Sequence, residues 1–126
     1  MKHILKSHTI SFKNAFTGLI WALRTQPNYK IHFSLSFLAI LGGVYCQLSY
    51  AEWLIIGVLI ITGLIIETIN TAIEVTTDAI DLRQREDIKI AKDVSAAAML
   101  IFAVGSFIIA AVIYLPKICP LLFQIR

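Results

Sequence analysis

No aspartate or glutamate occurs in this chain before Glu52, and charged residues make up only 15% of its 126 positions. That is less charge than a soluble domain of this size usually carries. Cysteine is almost absent: Cys46 and Cys119 stand alone, without a CxxC or Cys/His pattern, so zinc ribbons and dithiol redox chemistry are not expected. There is no GxxxxGK[ST] loop, no GxGxxG, no HExxH and no Gly-x-Ser-x-Gly. The familiar nucleotide-binding, metalloprotease and serine-hydrolase signatures are therefore missing. No repeat, low-complexity run or interdomain linker divides the chain. The basic N-terminus is not followed by a short apolar region and a small-residue cleavage site, so a cleavable signal peptide is not expected.

What is present is apolar length. Hydrophobic residues account for 58% of the chain, and the mean hydropathy is +0.80. This composition reads as an integral membrane protein forming one unit over residues 1–126. The net charge of +3 has no soluble basic face to sit on, and nucleic acid is not an expected partner. The basic residues read instead as topology signals and headgroup contacts.

The expected architecture is all-α. Residues 1–30 place Leu5, Phe12, Phe16, Leu19, Ile20 and Leu23 on one helical face, interrupted by Lys6, Lys13, Asn14 and Arg24. This pattern fits an amphipathic helix lying in the interface, ended or bent at Pro27. A first span is expected over residues 31–48, with His32, Ser34 and Ser36 at its start. A second crosses over 51–71, anchored by Trp53, and continues into the cytosol to about residue 81. A charged connection follows over 82–93. A third span covers 94–115, stopped by Pro116, and leaves 116–126 as a tail. The small residues Ser95 to Ala98 allow close helix–helix approach. Three spans leave little room for a site inside one protomer, which favours an oligomer.

Lysine and arginine set the orientation. Residues 1–30 hold five, the 82–93 connection holds four, and the 47–52 turn holds none. The positive-inside rule puts the N-terminus and the second connection in the cytosol, as expected of a multi-pass membrane protein. Cys46 and Cys119 then fall on the same side of the membrane, and a bridge between them stays open.

The stretch from Glu67 to Asp78 carries the chemistry. From Glu67, steps of 3, 4 and 4 reach Asn70, Glu74 and Asp78, and at about 100° per residue the four side chains fall within roughly an 80° arc. Ionisable groups at a membrane boundary are a functional-site hypothesis by default. Aligned carboxylates suggest a metal ion, a proton transfer, or both. Glu67, beside Ile65 and Ile66, is the candidate general base. Glu74, two turns further out, is placed to hold Mg²⁺ among phosphate oxygens. Asn70 lies between them and can orient either. Asp78 and Asp81 read equally well as a solvated helix face. Lys92 and Asp93 open the third span; Asp93 suits a helix start, and Lys92 is either a phosphate ligand or a snorkelling lysine.

The segment Glu67-Thr-Ile-Asn70-Thr-Ala-Ile-Glu74-Val-Thr-Thr-Asp78, followed by Ala91-Lys-Asp-Val-Ser-Ala-Ala-Ala98, resembles the signature of the prokaryotic diacylglycerol kinase family, which includes the undecaprenol kinases. The resemblance covers roughly residues 11–115. It implies a homotrimeric membrane kinase with sites shared between subunits at the cytosolic boundary. ATP with Mg²⁺ would enter from the cytosol, and a lipid alcohol laterally from the bilayer. By position, Glu67 matches the family's catalytic base and Glu74 a metal-binding glutamate that also contacts ATP. Lys92 and Asp93 match nucleotide contacts, as do Asn14 and Gln26 of the surface helix and the connection from Arg83 to Arg85. Asn70 belongs to the same motif. Gln26 stands where the family has a second metal-binding glutamate, so it is a weaker Mg²⁺ ligand here, with Asp78 a candidate to compensate. Ser11 to Gly18 and Gln26 to His32 look more like the undecaprenol kinase branch. Two rival readings remain: a small proton-coupled transporter using Glu67 as its binding carboxylate, and a catalytically impaired family member.

Overall fold

The computed structural model describes the backbone of residues 2–81, 83 and 85–124, and the side chains of residues 11–81, 83 and 85–118. Four helices make up the described chain: α1 (Lys2–Thr25), α2 (Pro27–Tyr45), α3 (Tyr50–Ile80) and α4 (Glu86–Gln124). The all-helical expectation holds among the described residues.

Helix boundaries follow local chemistry. Gln26 is extended between α1 and α2, and Pro27 takes the first helical position of α2, where its missing N–H costs nothing. Helix α2 closes in a Schellman motif. The Gln47 amide donates to the Val44 carbonyl over 3.2 Å, and that of Leu48 to Gly43 over 3.0 Å. Gln47 adopts φ 52°, left-handed backbone that glycine usually occupies. Ser49 then caps α3, its hydroxyl accepting from the Glu52 amide while the Glu52 carboxylate accepts from the Ser49 amide. The hairpin is tight because each helix end is satisfied within four residues.

Three expectations are corrected. The charged stretch 82–93 is a connection only in its first residues: α4 already begins at Glu86. Glu86 and Asp87 in its first turn favour the positive end of the helix dipole, and Lys89 bridges Asp93 one turn on at 2.7 Å. Nor does Pro116 stop the helix, which runs on to Gln124, so the expected tail is helical over residues 116–124. In a bilayer the freed backbone groups have no water to turn to, and a helix passing through proline keeps all the others paired. Finally, α2 ends at Tyr45 rather than 48. Its helical part from Ile31 spans only about 22 Å at 1.5 Å per residue. Two helices among the described residues, α3 and the stretch Glu86–Ile118 of α4, are long and apolar enough to cross a membrane.

Helix α3 packs mainly on α4, and α2 lies against α3. The small core sits at the hairpin end, where Cys46, Leu48, Ile56 and Ile113 cluster with Trp53 and Tyr114 around them. Cys46 is a free, buried thiol; the Cys119 side chain lies outside the described residues. At that end Tyr114 donates to the Ala39 carbonyl over 2.6 Å, and Lys117 pairs with Glu52 at 3.1 Å. Gly43 permits the fold there: a Cβ on it would lie 2.7 Å from the Trp53 ring. The accessible surface is 9846 Å², against about 6,700 Å² expected for a folded soluble chain of this mass. Much of the excess is apolar, with Phe37, Leu38, Val58, Ile101, Phe107 and Val112 each more than half exposed. Such a surface belongs against lipid or other subunits.

Candidate active site

The polar stripe is built by α3 and covered by the start of α2. Its inner face holds Gly63, Glu67, Asn70, Thr71 and Thr77, all buried. Glu67 is only 2% exposed. A charged group so enclosed is costly unless it is held or used. Its Oε2 has no hydrogen-bond partner. From α2, His32 faces it, with Nε2 3.9 Å from Oε2, and Asn28, one turn earlier on the same helix, is a neighbour of the same carboxylate.

One turn outward, Asn70 donates from Nδ2 to Glu74 Oε1 over 3.1 Å. Its Oδ1 is buried without a partner, as is the Thr71 hydroxyl. Glu74 is half-buried, at the edge of the inner face. The sequence expectation that Glu67, Asn70 and Glu74 share one face is met. Asp78 lies on the same stripe further out, where its side chain is about half exposed and pairs with Lys92 of α4. That pair ties the outer ends of α3 and α4 together.

The remaining candidates are dispersed in the protomer. Asp93 accepts from Lys89 rather than pointing at the stripe. Asp81, just past the end of α3, accepts from the Arg83 amide and guanidinium, which hold its carboxyl below the usual aspartate range. Arg85 bonds Asp87 at 2.6 Å. Asn14 is exposed on α1, and Gln26 is half-buried at the α1–α2 junction, its side chain making no cap hydrogen bond. Among the described residues no three His, Cys, Asp or Glu side chains converge. A divalent ion at this site would therefore meet Glu74 and the unpartnered Asn70 Oδ1 and draw its other ligands from phosphate and water. That suits Mg²⁺, which is commonly held by one or two carboxylates plus substrate phosphates.

An apolar cleft of about 430 Å³ runs between α2, α3 and α4. His32 and Gly63 line it, together with Ile60, Phe102 and Ser106. Gly63 precedes Glu67 by one helical turn, so the cleft leads along α3 toward the carboxylate. Gly63 is there for space: a Cβ would sit 2.8 Å from the Phe102 ring and 3.6 Å from His32 Nδ1.

Sequence reasoning left Asn28, Tyr29 and His32 without a role. Tyr29 is 1% exposed, and its hydroxyl is hydrogen-bonded with that of Thr68. The available signal was the recurrence Tyr29, His32, Ser36 at helical spacing on the opening turns of α2.

A model of the prokaryotic diacylglycerol kinase family matches residues 13–114. The undecaprenol kinase of Bacillus subtilis (strain 168) is 39% identical over 108 residues, which is 86% of this chain and 88% of that protein. The diacylglycerol kinase of a Synechocystis strain is 32% identical over 117 residues, covering 90% of this chain and 65% of the relative.

Proposed function

The chain belongs to the prokaryotic diacylglycerol kinase family and is a membrane lipid kinase drawing its phosphate from ATP, and on that premise we propose that its acceptor is undecaprenol in preference to diacylglycerol. The higher identity to the undecaprenol kinase supports this choice. The observation that carries the site assignment is the buried Glu67, with an unpartnered oxygen, beside an apolar cleft within the membrane-length part of α3. The chemistry asked of a lipid kinase is a proton acceptor next to a place for a hydrocarbon chain.

The proposed mechanism is direct in-line transfer. The lipid chain occupies the cleft and presents its hydroxyl at Glu67. Glu67 takes the proton as the hydroxyl oxygen attacks the γ-phosphorus of ATP. The new O–P bond forms as the bond to the β-phosphate oxygen breaks, and ADP leaves. When bound, Mg²⁺ offsets phosphate charge, with Glu74 and Asn70 Oδ1 the residues to hold it. Lys92 adds positive charge once it exchanges Asp78 for phosphate; Asn14, Gln26, Arg83, Arg85 and Asp93 are assigned to the nucleotide. Catalysis then rests on positioning and electrostatics.

The dispersal of these residues in one protomer, and the apolar surface it exposes, support a homotrimer with sites completed by a neighbouring subunit. We place the N-terminus and the α3–α4 connection in the cytosol at the bacterial inner membrane, with α1 in the interface and α2 as a third, short crossing. The excess of lysine and arginine in those two segments supports the orientation.

The test is phosphorylation by purified protein in mixed micelles, with labelled ATP, Mg²⁺ and either undecaprenol or diacylglycerol. Labelled undecaprenyl phosphate in clear preference is expected, and Glu67→Gln is expected to lose at least about a hundredfold in turnover. Preference for diacylglycerol would overturn the acceptor, and full activity of Glu67→Gln would overturn the base.

A further inference from the structure

A buried carboxylate oxygen without a hydrogen bond bears its full desolvation cost. Glu67 Oε2 is in that position, and the basic ring facing it stops short. At 3.9 Å, His32 Nε2 is about 1 Å too far for a hydrogen bond. The ring is otherwise well seated. It lies over Gly63, with Nδ1 3.6 Å from where a Cβ would be, and its side chain is 19% exposed. It also lines the apolar cleft. A chain entering the cleft touches the same ring that faces the carboxylate. Asn28 and His32 are four residues apart on α2, one turn, and share the face of that helix turned toward Glu67.

We propose that His32 is a positioning residue for phosphoryl transfer: with the lipid alcohol in the cleft, His32 Nε2–H closes onto Glu67 Oε2 and fixes the carboxylate, leaving the other oxygen to accept the substrate proton. The proposal rests on the reading of Glu67 as the base. It assigns work to a residue that the acidic stripe does not contain, and it explains why the carboxylate is incompletely bonded before substrate enters. A fixed carboxylate raises turnover without tightening substrate binding, because the alignment is realised in the transition state.

The experiment compares His32→Leu and His32→Gln with Glu67→Gln in mixed micelles, measuring kcat and KM for undecaprenol separately. Glutamine keeps an N–H donor near the Nε2 position; leucine removes it at similar bulk. His32→Leu is expected to lower kcat at least about tenfold while KM changes by less than about threefold, and His32→Gln to stay within about threefold of wild type in kcat. An unchanged KM for ATP shows that the variants are folded, and His32→Met replaces His32→Leu if the latter does not assemble. Wild-type kcat in the leucine or methionine variant would overturn the proposal. So would a change confined to KM, which marks a mere cleft wall, or an equal loss in His32→Gln. If Glu67→Gln is inactive and His32→Leu active, the positioning role alone falls; if Glu67→Gln is fully active, the base and its positioning residue fall together.

Discussion

Asn70 donates to Glu74 across one turn of α3 over 3.1 Å, while its own carbonyl oxygen stays buried and unpartnered. A single amide thus orients the outer carboxylate and offers a neutral oxygen beside it. Asn70→Leu removes both and leaves Glu74 unsupported. We expect turnover to fall at least about tenfold and the Mg²⁺ concentration for half-maximal rate to rise; a Mg²⁺ titration of ATP-dependent lipid phosphorylation checks both.

Gln26 stands where the family resemblance implies a second metal-binding carboxylate, and Asp78, the candidate to compensate, is paired with Lys92. Chelation of divalent ions is expected to abolish phosphorylation. Gln26→Glu is expected to lower the half-saturating Mg²⁺ concentration by about threefold or more, since a hard cation prefers a carboxylate to an amide oxygen. An unchanged Mg²⁺ curve would remove Gln26 from the site.

The Lys92–Asp78 pair is more than a third exposed on each side, so it contributes less than about 1 kcal/mol to stability. Asp78→Asn is expected to shift the unfolding temperature by no more than a few degrees and to leave KM for ATP equal or lower, because Lys92 is released. Lys92→Met is expected to raise KM for ATP at least about tenfold. Comparing ATP saturation curves of the two variants distinguishes a nucleotide ligand from a helix strap.

Gln47 holds a left-handed backbone at the end of α2. Gln47→Gly is expected to stabilise the fold by about 1 kcal/mol, because glycine carries no Cβ penalty there. Thermal unfolding in detergent reads this directly, and activity is expected to be unchanged, the hairpin lying about 25 Å along α3 from Glu67.

Much of this was legible along the chain. The helical class, the break at Pro27 and the alignment of Glu67, Asn70 and Glu74 follow from proline chemistry, apolar length and 3.6-residue periodicity, which are properties of neighbouring residues. The motif pair around Glu67 and Lys92 carried the family. Local rules misjudged Pro116 and the 82–93 stretch, since a charged run reads alike as loop or as the solvated face of a helix, and proline weighs less where backbone has no water to turn to. The sequence by itself thus determined which residues are chemically capable and which share a face of one helix. Tertiary structure alone decided which faces meet. The stagger and rotation of α2 against α3 put His32 opposite Glu67, and those of α4 against α3 give Asp78 to Lys92 and open the cleft beside Gly63. No periodicity within a single helix encodes that geometry, because it is set by the packing of side chains that are distant in the chain.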